Sequence, residues 1–121
     1  LLHVIEMPPE LARPPISPDY DVSRVRAEAE AAALARLREL VPAQAREYCS
    51  IQTAVLEGGA ARQILRIAEE QDANLIVLGV HGRNAFDLAF FGSNSKDVIR
   101  HAHCPVLIVP AAKRESLRAA S

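Results

Sequence analysis

The sequence predicts an α/β fold, a doubly wound parallel sheet flanked by helices. Short apolar segments alternate with helical patterns in the order βαβαβαβ. The strand segments are apolar on consecutive positions, without the alternation of a sheet that has one wet face. Such strands are typical of a parallel sheet covered by helices, which binds ligands at the carboxyl ends of its strands.

A proline-rich loop separates the first predicted strand from the first predicted helix. Leu1–Ile5 is a continuous apolar run and predicts a buried strand. Five of the eight prolines then lie within residues 7–18, where they exclude regular structure. An amphipathic helix follows over residues 23–40, capped by Ser23 or Asp21. Its apolar positions are Val25, Ala29, Ala32, Ala33, Leu37 and Leu40.

The remaining chain supplies three strands and two helices. Strands are predicted over residues 50–56, 74–80 and 104–110, and helices over 61–71 and 94–102. The apolar face of the first of these helices consists of Ala61, Ile64, Leu65 and Ala68. We expect one domain over residues 1–110, followed by a flexible tail over residues 111–121. Because the chain opens inside a strand, we also expect residues to be missing before it.

Composition excludes several classes of function. The chain has 121 residues with a net charge of −1, so no excess of positive charge favours nucleic acid or an anionic membrane. Aromatic residues make up only 4%, which disfavours a base-stacking surface. No apolar run approaches the roughly 20 residues of a membrane span. Two cysteines are too few for a disulfide framework, so the default compartment is the cytoplasm.

One glycine pattern predicts phosphate binding. Gly79 and Gly82 end a strand, nine residues follow, and Gly92 then precedes a helix that begins with Ser93, Asn94 and Ser95. Glycine permits close approach of a phosphate, and the amides and dipole of a helix start attract an anion. The pattern is neither a Walker A loop nor a dinucleotide fingerprint. The alternative is that the glycines serve a tight turn while Ser93 or Asn94 merely caps a helix.

The same pattern resembles a known family. Residues 75–109 are similar to the C-terminal signature of universal stress proteins, whose nucleotide-binding members carry G-x-x-G, nine residues, then G-S/T. Weaker similarity extends to residues 1–6 and 55–70. The resemblance implies a five-stranded sheet of order 3-2-1-4-5 that binds ATP between strands 1 and 4. The family's first strand, with its nucleotide-contacting Asp, has no counterpart here, and we expect that strand and its helix to be missing from this sequence.

The resemblance also implies residue roles and an assembly. Mg²⁺ or Mn²⁺ accompanies the ATP through phosphate oxygens, and two copies pair antiparallel through the strand over 104–110. Arg83 is the nearest positive charge to the expected phosphates. The expected contacts are Val4 to the adenine through its backbone, Gly79, His81 and Gly82 along the ribose and phosphates, and Gly92, Ser93, Asn94 and Ser95 at the phosphates.

Other candidate chemistry is weaker. His101, His103 and Cys104, with Cys49 or His81, contain metal-ligand types, but a helix end and a strand start do not make them converge. No triad or Cys–His motif indicates a catalytic nucleophile. The resemblance implies an ATP-binding regulatory protein with an unknown protein partner. Because no residue is a convincing general base, we expect no rapid hydrolysis and therefore not an enzyme. The alternatives are a slow ATPase or phosphotransferase, and a dimeric interaction module that binds no nucleotide.

Overall fold

The computed structural model describes residues 1–7, 21–80 and 92–110. The elements are β1 (Leu2–Ile5), α1 (Val22–Glu39), α2 (Ala45–Tyr48), β2 (Ala54–Glu57), α3 (Ala60–Glu70), β3 (Ile76–Val80), α4 (Ser93–His101) and β4 (Val106–Pro110). The predicted order of strands and helices is confirmed, with the single-turn helix α2 added. The predicted tail over residues 111–121 lies outside the described residues.

The chain divides into two compact units, Leu1–Ile64 and Leu65–Ser121. In the first unit β1 and β2 pair in parallel, with Leu2 opposite Ala54 and Ile5 opposite Glu57. In the second unit β3 and β4 pair in parallel. The parallel α/β class is therefore confirmed. The two pairs correspond to the neighbours 3-2 and 4-5 of the order that the resemblance implies.

Helix α1 packs on both strands of the first unit. Its N-cap is Asp21, whose carboxylate accepts a hydrogen bond from the Arg24 N–H at 3.2 Å. The inward face differs from the predicted one, because Val25 and Leu40 are 37% and 66% exposed. Two short strands cover only a narrow stripe of an 18-residue helix. The half-buried residues of this stripe are Val22, Arg26, Ala33, Leu34 and Leu37.

Helix α3 has the apolar face that the sequence predicts. Ala61 and Ala68 are buried, and Ile64 and Leu65 are half-buried between them. The spacing of three and four residues keeps these side chains on one side of the helix. Among the described residues no helix has the length and the apolar character needed to cross a bilayer.

The sheet of the second unit is apolar on both faces. Ile76 is buried on one face, and Val98 of α4 is completely buried. On the opposite face Val77 lies beside Leu107 in the ladder. These two side chains are 56% and 51% exposed, so this face of the pair remains open to water.

Candidate functional site

Helix α4 begins after a glycine. Gly92 is the N-cap, and glycine has no side chain that could make a capping bond. Its carbonyl accepts the first helical bond, from the Lys96 N–H at 3.2 Å. The N–H groups of the first turn have no acceptor inside a helix, and they carry the positive end of its dipole. Ser93 is exposed, Ser95 is half-buried, and the first turn contains no acidic residue.

Neither backbone geometry nor crowding requires glycine at residue 92. Its φ of −55° is ordinary for any residue. A Cβ atom built on Gly92 meets no described atom within 4 Å. The interpretation that Ser93 or Asn94 caps this helix is not what the structure shows, because Gly92 occupies the cap. An open helix start that presents hydroxyls without a carboxylate suits an anion.

Gly79 lies near the end of β3, opposite Val109 of β4. The Ile76 N–H donates to the Pro105 carbonyl at 3.0 Å, so Ile76 and alternate residues after it bond to β4. The N–H and C=O groups of Val77 and Gly79 therefore point to the other edge of β3. A Cβ atom on Gly79 also meets no described atom within 4 Å. The predicted residues His81, Gly82 and Arg83 lie outside the described residues.

The same alternation gives Val4 an outward-facing backbone. The Ala54 N–H donates to the Leu1 carbonyl at 2.9 Å, and the Gly58 N–H donates to the Ile5 carbonyl at 3.1 Å. Residues 1, 3 and 5 thus bond to β2, whereas the N–H and C=O of Val4 point away from that strand. The backbone N–H and C=O of Val4 therefore lie at the edge of β1 that faces away from β2.

A charged pocket that was not predicted lies at the carboxyl ends of β1 and β2. The pocket has a volume of about 460 Å³. The Arg26 Nε lies 3.8 Å from the Glu57 carboxylate, and the Glu6 carboxylate accepts the Ala60 N–H at 2.9 Å. The sequence could have indicated this pocket, because Glu6 and Glu57 each directly follow a predicted strand. The lining residues are Glu6, Met7, Arg26, Glu57, Gly58 and Gly59.

The described histidine and cysteine candidates form no metal-binding cluster, and His81 lies outside the described residues. Among the described residues, no three His, Cys, Asp or Glu side chains lie together as metal ligands would. The His101 Nδ1 lies 2.9 Å from the Asp97 carbonyl of its own helix. His103 and Cys104 line a separate pocket with Asp72, before the amino ends of β3 and β4.

Comparison with known proteins identifies the fold and the family. The model of the universal stress protein family matches residues 1–110. Universal stress protein MJ0531 of Methanocaldococcus jannaschii is 43% identical over 65 residues, which are 54% of this chain and 38% of that protein. The universal stress protein in the QAH/OAS sulfhydrylase 3′ region of Thermus aquaticus is 44% identical over 55 residues, 46% of this chain and 40% of that protein. The matched segments thus span about two-fifths of these relatives.

Two solved structures share the fold. Hypothetical protein MJ0577, the subject of a structure-based assignment of biochemical function, matches with a TM-score of 0.71 and 21% identity. That similarity covers 93% of this chain and 74% of the other. Hypothetical protein PH0823 matches with a TM-score of 0.62 and 25% identity, over 93% of this chain and 75% of the other.

Proposed function

Because the chain belongs to the universal stress protein family, we propose that it is an ATP-binding stress-response protein whose nucleotide-bound state is the functional signal. Mg²⁺ or Mn²⁺ accompanies the nucleotide through its phosphate oxygens. The observation that carries this proposal is the start of α4, where the N-cap is Gly92, a residue without a side chain, and Ser93 follows it.

The phosphates bind at the start of α4. The first-turn amides donate to phosphate oxygens, and the helix dipole favours their negative charge. The first turn of α4 contains no acidic residue, so no carboxylate of this turn repels them. Ser93 and Ser95 add hydroxyl groups that donate to phosphate or coordinate its metal ion. Gly92 allows the phosphates to approach the backbone, which explains a glycine that the backbone conformation does not require.

The adenine binds to the backbone of Val4. The outward N–H and C=O of this residue offer one donor and one acceptor on the same side of β1. Adenine presents a complementary pair, the N6 amino donor and the N1 acceptor. Backbone recognition makes no demand on the Val4 side chain, which is half-buried in the first unit.

The protein acts by holding the nucleotide rather than by turning it over. The described residues at the start of α4 supply amides and hydroxyls, and none of the first-turn side chains is a carboxylate able to act as a general base. We place the protein in the cytoplasm, because Cys49 is exposed and both it and Cys104 are free thiols.

We also propose a homodimer through the outer edge of β4. Leu107 and Val109 bond to β3, so the N–H and C=O groups of Val106 and Ile108 point away from it. An unpaired apolar strand edge favours pairing with another strand. Antiparallel pairing with a second copy satisfies these groups around a two-fold axis. An unidentified protein partner then recognises the nucleotide-bound form of the protein.

Calorimetry on nucleotide-stripped protein tests the proposal. ATP is titrated with Mg²⁺ present, and the mixture is then assayed for ADP over time. We expect saturable binding at one site per chain and ADP formation much slower than ATP binding. If no heat of binding is measured, the nucleotide proposal is wrong. Rapid ADP formation would favour an ATPase instead. Light scattering measures the dimer separately, and a monomer at micromolar concentration would contradict that part.

A further inference from the structure

Glu6 joins two segments that are far apart in the sequence. Its carboxylate accepts a hydrogen bond from the Ala60 N–H at 2.9 Å, across 54 residues of chain. This N–H belongs to the first residue of α3, where a carboxylate also benefits from the helix dipole. One residue earlier, the Ile5 carbonyl accepts the Gly58 N–H at 3.1 Å. The end of β1 is thus held by the turn that joins β2 to α3.

We propose that Glu6 is a positioning residue for recognition of the purine base. This inference rests on the proposed function, in which the backbone of Val4 contacts adenine. Val4 lies one residue before the end of β1, where ladder bonds open most easily. Hydrogen bonds weaken steeply as donor and acceptor move out of line. Fraying of the strand end should therefore weaken binding of the base even while the protein stays folded. The Glu6 bond keeps the outward N–H and C=O of Val4 in place.

The neighbouring carboxylate provides a matched control. Glu57 lies at the same end of the sheet, and its side chain pairs with Arg26 of α1 at 3.8 Å, with both side chains more than 40% exposed. Such a pair contributes little to stability. Removing the charge of Glu57 therefore tests the electrostatics of the pocket without releasing the end of β1.

The experiment compares ATP with inorganic tripolyphosphate, which carries no base. We expect Glu6→Ala to weaken ATP binding about fivefold, equivalent to about 1 kcal/mol, while tripolyphosphate affinity stays unchanged. Glu6→Gln retains an acceptor for the Ala60 N–H and should restore ATP affinity to within about twofold of the original protein. Glu57→Gln should leave both affinities unchanged.

Two results would overturn the inference. One is unchanged ATP affinity in Glu6→Ala, and the other is equal weakening of ATP and tripolyphosphate, which indicates general loss of structure. Thermal melting of every variant identifies such a loss directly. If the original protein binds neither ligand, the proposed function fails first and this inference fails with it. If the original protein binds both and Glu6→Ala also binds both unchanged, only the inference fails.

Discussion

Replacement of Gly92 separates the stability of α4 from ligand binding, because the two should change in opposite directions. Gly92→Asp places a carboxylate at the N-cap, where Asp is preferred over Gly by a few tenths of a kcal/mol. The helix dipole adds about 0.3–1 kcal/mol. No strain offsets this gain, since φ is −55° and a Cβ meets no described atom within 4 Å. We expect the melting temperature to rise by roughly 2–4 °C.

Binding of ATP to the same variant should be lost. A carboxylate about 4 Å from one phosphate charge costs about 4 kcal/mol at an effective dielectric constant near 20. Solvent and salt reduce that cost, yet half of it already weakens binding roughly thirtyfold. Gly92→Ser is the matched control, because Ser caps a helix about as well as Asp and adds no charge.

Calorimetry with ATP and thermal melting are measured on the original protein and both variants. We expect both variants to melt at or above the original temperature, with Gly92→Ser binding ATP more tightly than Gly92→Asp. Parallel loss of stability and binding would refute the reasoning, since it would mean that the fold itself requires glycine at residue 92. Full ATP affinity in Gly92→Asp would remove the phosphate contact from the proposal.

Three further variants test single contacts, and two more serve as controls. Ser93→Ala should weaken the binding of both ATP and tripolyphosphate by roughly 1 kcal/mol or somewhat more, as measured by calorimetry. Ser23 is exposed and is not the N-cap of its helix, so Ser23→Ala should change neither affinity. Asp21→Ala should lower the free energy of unfolding in urea by about 1 kcal/mol. Ser23→Ala should not lower it, because Ser23 lies inside α1, where Ala is the better helix former. Equal losses in the two variants would contradict the assignment of the N-cap. Ile108→Pro should give a folded monomer in light scattering, because it removes an N–H from the outer edge of β4. Leu107→Pro should unfold the second unit instead, since the Leu107 N–H bonds to β3. A dimer of Ile108→Pro in light scattering would contradict pairing through the outer edge of β4.

Local patterns predicted the elements well, and tertiary contacts decided the details. The face of α3 was predictable because four apolar residues at helical spacing contrast with charged neighbours. In α1 the alanine-rich sequence offers several similar faces, and the position of two short strands selects one. That selection leaves Val25 and Leu40 exposed. The sequence likewise left open whether Asp21 or Ser23 is the N-cap, and the structure shows that it is Asp21.

The candidate site was only partly readable from the sequence. Glycine spacing singled out Gly79 and Gly92 as candidates, because a short motif is visible in the local sequence. The bond between Glu6 and the start of α3 joins residues 54 positions apart, and no local pattern reports such a contact. The outward backbone of Val4 depends on the strand register, which a shift of one residue would reverse.

The alternating direction of the strand bonds has a kinetic consequence for amide hydrogen exchange. In β1 the amides of His3 and Ile5 face β2, whereas that of Val4 faces outward. In β3 the amides of Ile76 and Leu78 face β4, whereas that of Val77 faces outward. Slow and fast exchange should therefore alternate along each strand. When a nucleotide base or another strand binds to an outer edge, the outward-facing amides of that strand should become protected from exchange.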